Sequence, residues 1–548
     1  MKHAITLIAA LLVLSGLLYP ATRGFAQQPR QDEPVRLKTE LVELDVVVTD
    51  KSNRPVTGLK REDFVLLEEG KPQTISFFSL VQPKVVATPA STTAGTPSSG
   101  TPAVTPEPGR FIFIILDQYH ISQANYPRLR ESLLNFVTND LGPQDQVAII
   151  GTGGGLAVFQ QVTKNKRALA LAINAFLGAG ADYKSTTAID EGLADAQRDI
   201  GMPGSMAAAF YREYIVRATL KTLQSIAKGV GDMPGRKIAI FVSEDLPIVL
   251  GGDQSGAENV AFELEDVISK SQRGGLTFYS VDPRGLVTTI PGGDASEARG
   301  ASMLGGGSTR EDPGASADRL LASRWGMREL AAATGGFSIF NTNDARKGLQ
   351  DVLAQNDAYY LLGFYPPTEA REGKFRRLKV ELKNRPGLTV RARKGYIASS
   401  GTTLADKPEP KQERITKSLN SLVPVRTVQV AIPEIAATAE PLTGERLAKL
   451  VVRIDARNWP FKEEGGNRIG SVEVIGFAYD LKNTLVDGFS KTINMKLTPD
   501  VYARVISGGI NLRGEIKLKK AGLYNIRVVA INTATGDMGT ASEWLEAR

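Results

Sequence analysis

Residues 111–117 read Phe-Ile-Phe-Ile-Ile-Leu-Asp, six apolar side chains in a row closed by an acid. A strand with one wet face would alternate apolar and polar, so an unbroken run marks a central strand covered on both faces. Two similar runs follow, Lys237–Val242 (KIAIFV) and Leu276–Val281 (LTFYSV), with shorter ones at Val147–Ile150, Leu156–Val162 and Phe337–Phe340. Between them apolar residues recur at helical spacing. Leu129, Leu133, Phe136, Val137 and Leu141 form one such stripe, after Pro127. Further stripes are Ile189, Leu193, Ala196 and Ile200; Val216, Leu220, Leu223, Ala227 and Val230; and Val260, Leu264, Val267 and Ser271. Leu321, Trp325 and Leu330 mark another helix, stopped by Gly335-Gly336, and Leu349, Val352 and Leu353 mark the last. Strands alternating with amphipathic helices predict a Rossmann-like, doubly wound, mostly parallel sheet over residues 110–356, whose ligands sit beyond the carboxyl ends of the strands.

Outside this block the pattern changes to β. Residues 36–82 alternate, with a tight Glu69-Gly70 turn between Phe64–Leu67 and Thr74–Phe77. Residues 357–398 supply three more strands, AYYLLGFY, FRRLKVELK and LTVRARKGY. Neither piece closes a core alone, so the two are expected to pair into one β-sandwich with the α/β block inserted between them. Residues 418–548 read as a further, Ig-like β-sandwich. Two Pro/Gly/Ser/Thr-rich stretches, 83–109 and 399–417, read as linkers, and 289–317 as a disordered loop, because such composition cannot offset its ordering entropy by burial.

The chain opens with Lys2 and His3, an apolar run from Ala4 to Leu18, and small residues at Gly24 and Ala26, the pattern of a signal peptide (1–26) cleaved after Ala26. The run is shorter than the ~20 residues a helix needs to cross a bilayer. The expectation is an exported protein, periplasmic or extracellular, with no transmembrane anchor after cleavage. Among the 548 residues there is no cysteine, which excludes disulfides, zinc-thiolate sites and thiol nucleophiles. Only two histidines occur, His3 and His120, so histidine chemistry in the mature chain rests on His120 alone. A formal charge of +7, interleaved with acids over this length, is too mild for a nucleic-acid partner.

Several short motifs occur in a fixed order: Pro55-Val56-Thr57-Gly58-Leu59 with Glu62-Asp63-Phe64, Glu68 and Gly70; Pro234-Gly235-Arg236-Lys237; Asp282-Pro283-Arg284-Gly285; Leu330-Ala331 with Thr334-Gly335-Gly336; Tyr359–Phe364; and Arg393-Lys394-Gly395-Tyr396. In combination they resemble the von Willebrand factor type A-related proteins abundant in Acidobacteria, over roughly residues 36–398. The resemblance implies an exported A-like domain that usually has no enzymatic role. It also implies a metal ion-dependent adhesion site, in which Asp and hydroxyl side chains hold a divalent cation open to a partner's carboxylate. The first loop of that site needs Asp-x-Ser-x-Ser; here Asp117 is present, but Tyr119 and Ile121 replace the serines. For the second loop Thr186 and Thr187 are candidates, although Thr187 with Asp190 equally spells a helix cap. For the third, Glu244 stands in place of Asp, with Asp245 beside it. Asp117, Thr187 and Glu244 are thus the candidate metal ligands of a degenerate site for Mg²⁺, which retains waters readily.

The candidate ligand-binding edge comprises Asp117, Tyr119, His120, Thr186, Thr187, Glu244 and Asp245, with no catalytic residue assigned. Gly151–Gly155 reads as a loose hairpin rather than a phosphate loop, because no Gly-Lys-Ser/Thr follows. His120 reads as a surface histidine, with no Gly-x-Ser-x-Gly elbow to serve. The leading expectation is a non-enzymatic scaffold for a protein or cell-envelope surface partner. The alternatives are an envelope hydrolase on glycans or peptides using Asp117, His120, Glu244 and Asp245, and a purely structural envelope component.

Overall fold

The computed structural model describes residues 41–82, 109–152, 161–177, 204–231, 233, 236–248, 254–286, 313–366, 375–397, 409–419, 421–422, 424–439, 445–480 and 483–547, with backbone alone at 204–212, 254–259, 313–319 and 397. The expected signal peptide, residues 36–40, most of the linkers and of the 289–317 loop, the Ile189–Ile200 helix, Thr186 and Thr187 lie outside the described residues. So does most of the Leu156–Val162 strand.

Four strands come from the first segment: β1 (Val42–Thr49), β2 (Phe64–Glu68), β3 (Lys71–Gln73) and β4 (Phe77–Val81). The parallel sheet follows, with β5 (Phe111–Leu116), β6 (Gln146–Gly151), β7 (Lys237–Val242), β8 (Leu276–Val281) and β9 (Ser338–Ile339) in the order β6-β5-β7-β8-β9. Its described helices are α1 (Tyr126–Asn135), α2 (Lys166–Leu177), α3 (Gly204–Gly229), α4 (Gln254–Gly274), α5 (Pro313–Thr334) and α6 (Ala345–Gln355). Period-two alternation along β5 divides its side chains between two cores. Phe111, Phe113 and Ile115 face residues of α3, α4 and α5, including Val216, Leu264 and Leu330. Ile112, Ile114 and Leu116 face α1, α2 and α6, through Leu133, Ile173 and Val352. Helices on both faces explain why the run contains no polar residue. Beyond β6, Thr163 forms an antiparallel bridge with Val147.

The chain then returns as β10 (Tyr359–Phe364), β11 (Phe375–Leu382), β12 (Thr389–Ala392) and β13 (Gly395–Ile397). These interleave with the first segment in two antiparallel sheets, β12-β1-β10-β4 and β13-β11-β2-β3. One core joins the sheets, with Leu44, Val46 and Leu362 from the first and Phe64, Leu66 and Leu378 from the second. Two readings of strand extent are corrected here. The hairpin through Glu69 (φ 47) and Gly70 (φ 78) returns along Lys71–Gln73, and residues 74–76 cross to the other sheet with Ile75 buried. LTVRARKGY is two strands in different sheets, because Lys394 bonds Ala333 and Leu378 instead of continuing β12.

The last segment holds α7 (Lys411–Leu419), β14 (Val430–Ala439), β15 (Arg446–Ile454), β16 (Lys462–Glu464), β17 (Asn467–Tyr479), β18 (Leu485–Leu497), α8 (Pro499–Gly508), β19 (Ile510–Leu518), β20 (Gly522–Asn532) and β21 (Met538–Ala547). Sheets β14-β15-β19 and β16-β17-β20-β21, with β18 also on β17, share a core around Leu450, Val474 and Ile526. Residues 411–417 are helix, not linker. Ile415 and Leu419, one turn apart in an otherwise charged stretch, bury themselves against Val529, Ile531 and Met538. Residues 313–317 are likewise the first turns of α5, opened by Pro313, rather than loop. Farther along α5 the buried face is also corrected. Leu321 and Trp325 are about half exposed, while Arg324, Met327, Leu330 and Ala331 point inward.

Several of the ordered motifs fasten the first pair of antiparallel sheets, and Arg236, Phe337 and Lys394 reach across its joint with the parallel sheet. The Tyr360 hydroxyl donates to the Val56 carbonyl (2.8 Å) and accepts from the Leu59 N–H (2.9 Å), tying Pro55–Leu59 to β10. The Tyr396 hydroxyl donates to Glu68 Oε1 at 2.5 Å. Arg236 lies over the Tyr359 ring and Arg391 over Phe337. Thr334 Oγ1 donates to the Leu330 carbonyl and accepts from the Phe278 N–H. At Gly336 a Cβ would stand 1.9 Å from the Phe278 carbonyl oxygen, so only glycine permits the α5–β9 corner.

Candidate functional site

The carboxyl ends of β6, β5, β7 and β8 deliver, in spatial order, Thr152, Asp117, Ser243-Glu244-Asp245 and Asp282–Gly285 to one edge of the sheet. Parallel strands end together, so polar residues just past each apolar run meet there even though they are far apart in sequence.

Asp117 sits at the centre, fully buried. Its Oδ1 accepts from Thr152 Oγ1 (2.8 Å) and from Thr219 Oγ1 on α3 (3.1 Å). Its Oδ2 lies 2.9 Å from Ser243 Oγ and 2.7 Å from His120 Nδ1. With a carboxylate as partner, that ring nitrogen carries the proton. Ser243 Oγ is also 2.7 Å from the Asp245 carbonyl oxygen, so its single proton is shared between two acceptors. The backbone adds support, since the N–H groups of His120 and Ile121 both donate to the Asp117 carbonyl.

His120 is corrected from surface to interior: its side chain is 7% exposed. Burial alone would lower its pKa, but the Asp117 charge and hydrogen bond outweigh that, with Asp245 and Glu244 adding to them, and the pKa is raised. Burial likewise works to raise the Asp117 pKa. The charge and hydrogen bond of His120, with the hydroxyls of Thr152 and Ser243, overcome it and the pKa is lowered. Each partner thus favours the charged form of the other.

Glu244 is half-buried and holds the loop after β5, its Oε1 accepting from the Ser122 N–H and from Asn125 Nδ2, both at 2.8 Å. Burial raises its pKa against those hydrogen bonds. Asp245, beside it, is pushed up by burial more than the charges of His120 and Arg284 pull it down. Tyr119 is half-buried, and Ile121 packs into the core beneath α1.

A second buried carboxylate, Asp282, stands at the end of β8. Its Oδ2 accepts from Arg324 Nε (2.8 Å) and Nη2 (2.6 Å), and from Arg284 Nη2 (2.9 Å). Its Oδ1 accepts from the Arg284 N–H and Nε. Arg284 Nη2 also donates to the Glu244 carbonyl oxygen at 2.6 Å, linking the loops after β7 and β8.

The structure therefore brings Asp117 and His120 into contact, and Glu244 and Asp245 to the same edge. Glu244 turns to Ser122 and Asn125, and Thr186 and Thr187 are not among the described residues. Among the described residues no group of three or more His, Asp and Glu side chains is placed to hold a metal ion. The hydroxyls of Thr152, Thr219 and Ser243, and the pairing of Asp282 with Arg324, were missed from sequence. The signal for Thr152 and Ser243 is their position just after an apolar strand. For Thr219 it is a lone hydroxyl between Val216, Leu220 and Leu223 on a buried helical stripe.

The fold and this edge together define a mixed α/β protein with one parallel sheet and four antiparallel ones among the described residues. No family model matches the sequence, and no curated protein does. Matching solved structures include a β-glucuronidase from Bacteroides uniformis, at 14% identity and a TM-score of 0.14, covering 22% of this chain and 13% of that one. A calcium-binding mutant of Bacteroides uniformis β-glucuronidase 2 matches at 13% identity and a TM-score of 0.13, with the same coverage of each chain. This chain thus spans 13% of the length of those enzymes, and a likeness of that size carries no argument about activity.

Proposed function

We propose that the chain is an exported, non-enzymatic binding scaffold. In this reading its parallel-sheet unit is a von Willebrand factor type A-like domain inserted in a β-sandwich, followed by an Ig-like sandwich. The A-like domain presents its carboxyl edge to a protein or cell-envelope surface partner. The order β6-β5-β7-β8-β9, with an acid directly after β5, supports the domain assignment. The ordered motifs and the N-terminal pattern support the family and export.

The observation that carries the binding reading is how the acids of the edge are used. Asp117 is fully buried with two partners on each oxygen, and Glu244 and Asp282 bind neighbouring loops. Groups held in this way set the shape of a surface, which favours a binding face. The half-buried Tyr119, Glu244, Asp245 and Arg284 are the face available to a partner.

The test is capture of partners from envelope extract by the full chain and by a Tyr119→Ala, Arg284→Ala variant that remains folded at the assay temperature. Selective loss of a captured protein or surface polymer supports the reading. Turnover of glycan or peptide libraries that disappears in Asp117→Asn, in a variant that still folds, replaces it with the hydrolase. Identical capture by both proteins moves the binding surface elsewhere.

A further inference from the structure

The A-like reading, on which this inference rests, would hand Asp117 to a divalent cation, and the described groups around Asp117 do not fit one. Mg²⁺ demands oxygen ligands at about 2.0–2.1 Å in near-octahedral geometry. Here Ile121, at one of the two hydroxyl positions of the loop, is buried among apolar side chains, and Tyr119 fills the other. Both oxygens of Asp117 already hold two donors each, from Thr152, Thr219, Ser243 and His120. A cation taking either oxygen would displace a buried hydrogen bond. It would also stand against the imidazole N–H.

We propose that His120 takes the place of the cation, its imidazole bonding Asp117 so that the loops of the carboxyl edge are set without a metal ion. The cation of an adhesion site joins the loops after several strands by drawing their oxygens to one charge. In this chain the joining runs through Asp117 itself. His120 reaches it from the loop after β5, Thr152 from the end of β6, Ser243 from the end of β7 and Thr219 from α3. The ring comes from three residues along the same chain, so it needs no external supply and cannot be removed by a chelator. The partner would accordingly be engaged through a metal-independent surface, its described part held by the Asp117 contacts. The loop after β8 is fastened in a similar way by guanidinium groups, with Arg284 and Arg324 on Asp282.

The test uses the full chain and the metals themselves. Thermal unfolding is followed in excess chelator and in millimolar Mg²⁺, Mn²⁺ or Ca²⁺, and each metal is titrated by calorimetry into wild type, His120→Gln and Asp117→Asn. The expected result is one wild-type midpoint in every buffer, no saturable heat, and a lower midpoint for His120→Gln in all of them. A saturable wild-type heat lost in Asp117→Asn overturns the proposal, and so does a His120→Gln midpoint equal to that of wild type. Should Asp117→Asn fail to fold, the wild-type midpoints and heats decide alone. Either failure leaves the A-like binding reading standing, whereas unaltered partner capture by the Tyr119→Ala, Arg284→Ala variant moves the binding surface away from this edge and leaves the metal-free edge intact.

Discussion

Arg324 reaches from the middle of α5 to place two of its N–H groups on one oxygen of Asp282, at 2.8 and 2.6 Å, with both side chains essentially excluded from water. This contact explains why α5 turns Arg324 inward and leaves Leu321 and Trp325 exposed. Arg324→Ala is expected to cost about 1.5–3 kcal/mol, the range for hydrogen bonds to charged groups, since Arg284 still partners Asp282. Arg324→Lys should recover only part of this, for an ammonium lacks the planar fork. Urea unfolding measures both. A wild-type midpoint for the alanine variant would contradict the role.

Asp117 is the stronger case. Asp117→Ala removes one partner of a buried pair and takes the carboxylate acceptor from His120, Thr152 and Thr219, while Ser243 keeps the Asp245 carbonyl. The expected loss is about 3–5 kcal/mol in urea unfolding. A loss below about 1 kcal/mol would instead fit a solvent-exposed pair.

The pair also dictates a pH response. His120 is raised above 6.5, so its contribution is full below pH 6.5 and fades as pH climbs through the elevated value. Asp117 is lowered below 3.8, so its contribution is full above pH 3.8 and fades as pH falls through the depressed value. The charges of Asp245 and Glu244 from the loop after β7 act on the ring, and Arg284 from the loop after β8 acts on both acids. The stability gap between wild type and His120→Gln should therefore be widest between these limits and shrink on the alkaline side. Denaturation midpoints of the two proteins across pH measure it, and a gap constant from acid to alkaline pH would contradict it.

At the joint, Gly336→Ala places a methyl against the Phe278 carbonyl oxygen and should cost more than about 2 kcal/mol or abolish folding. Gly58→Ala meets nothing within 4 Å and should stay within about 1 kcal/mol of wild type. Thermal midpoints of the two variants, compared side by side, check the contrast.

The parallel sheet was legible because strands covered on both faces carry near-continuous apolar runs, as Phe111–Leu116 does, between amphipathic helical stripes. The buried stripes of α3 and α4 were legible from their spacing. The stripe of α5 was not, since its inward face contains Arg324, and only the buried Asp282 makes an inward arginine tolerable. Helix α7 was hidden by its charge, with only Ile415 and Leu419 to bury. Of the site, Asp117, Glu244 and its neighbour Asp245 were named through the family resemblance, and His120 as a neighbour of Asp117. Their pairing was not: whether an imidazole faces solvent or a carboxylate depends on the loop after β5, and no spacing encodes that. Of the motifs that carry the family resemblance, Tyr360 on Val56 and Leu59 and Tyr396 on Glu68 turn out to fasten the first pair of antiparallel sheets.

The most direct measurement of the locked edge is histidine-selective NMR of the full chain, which contains only His3 and His120. The expected result is one imidazole that keeps its proton on Nδ1, titrates above 6.5, and does not respond to Mg²⁺. An imidazole at His120 that titrates at or below 6.5, or shifts when Mg²⁺ is added, would contradict it.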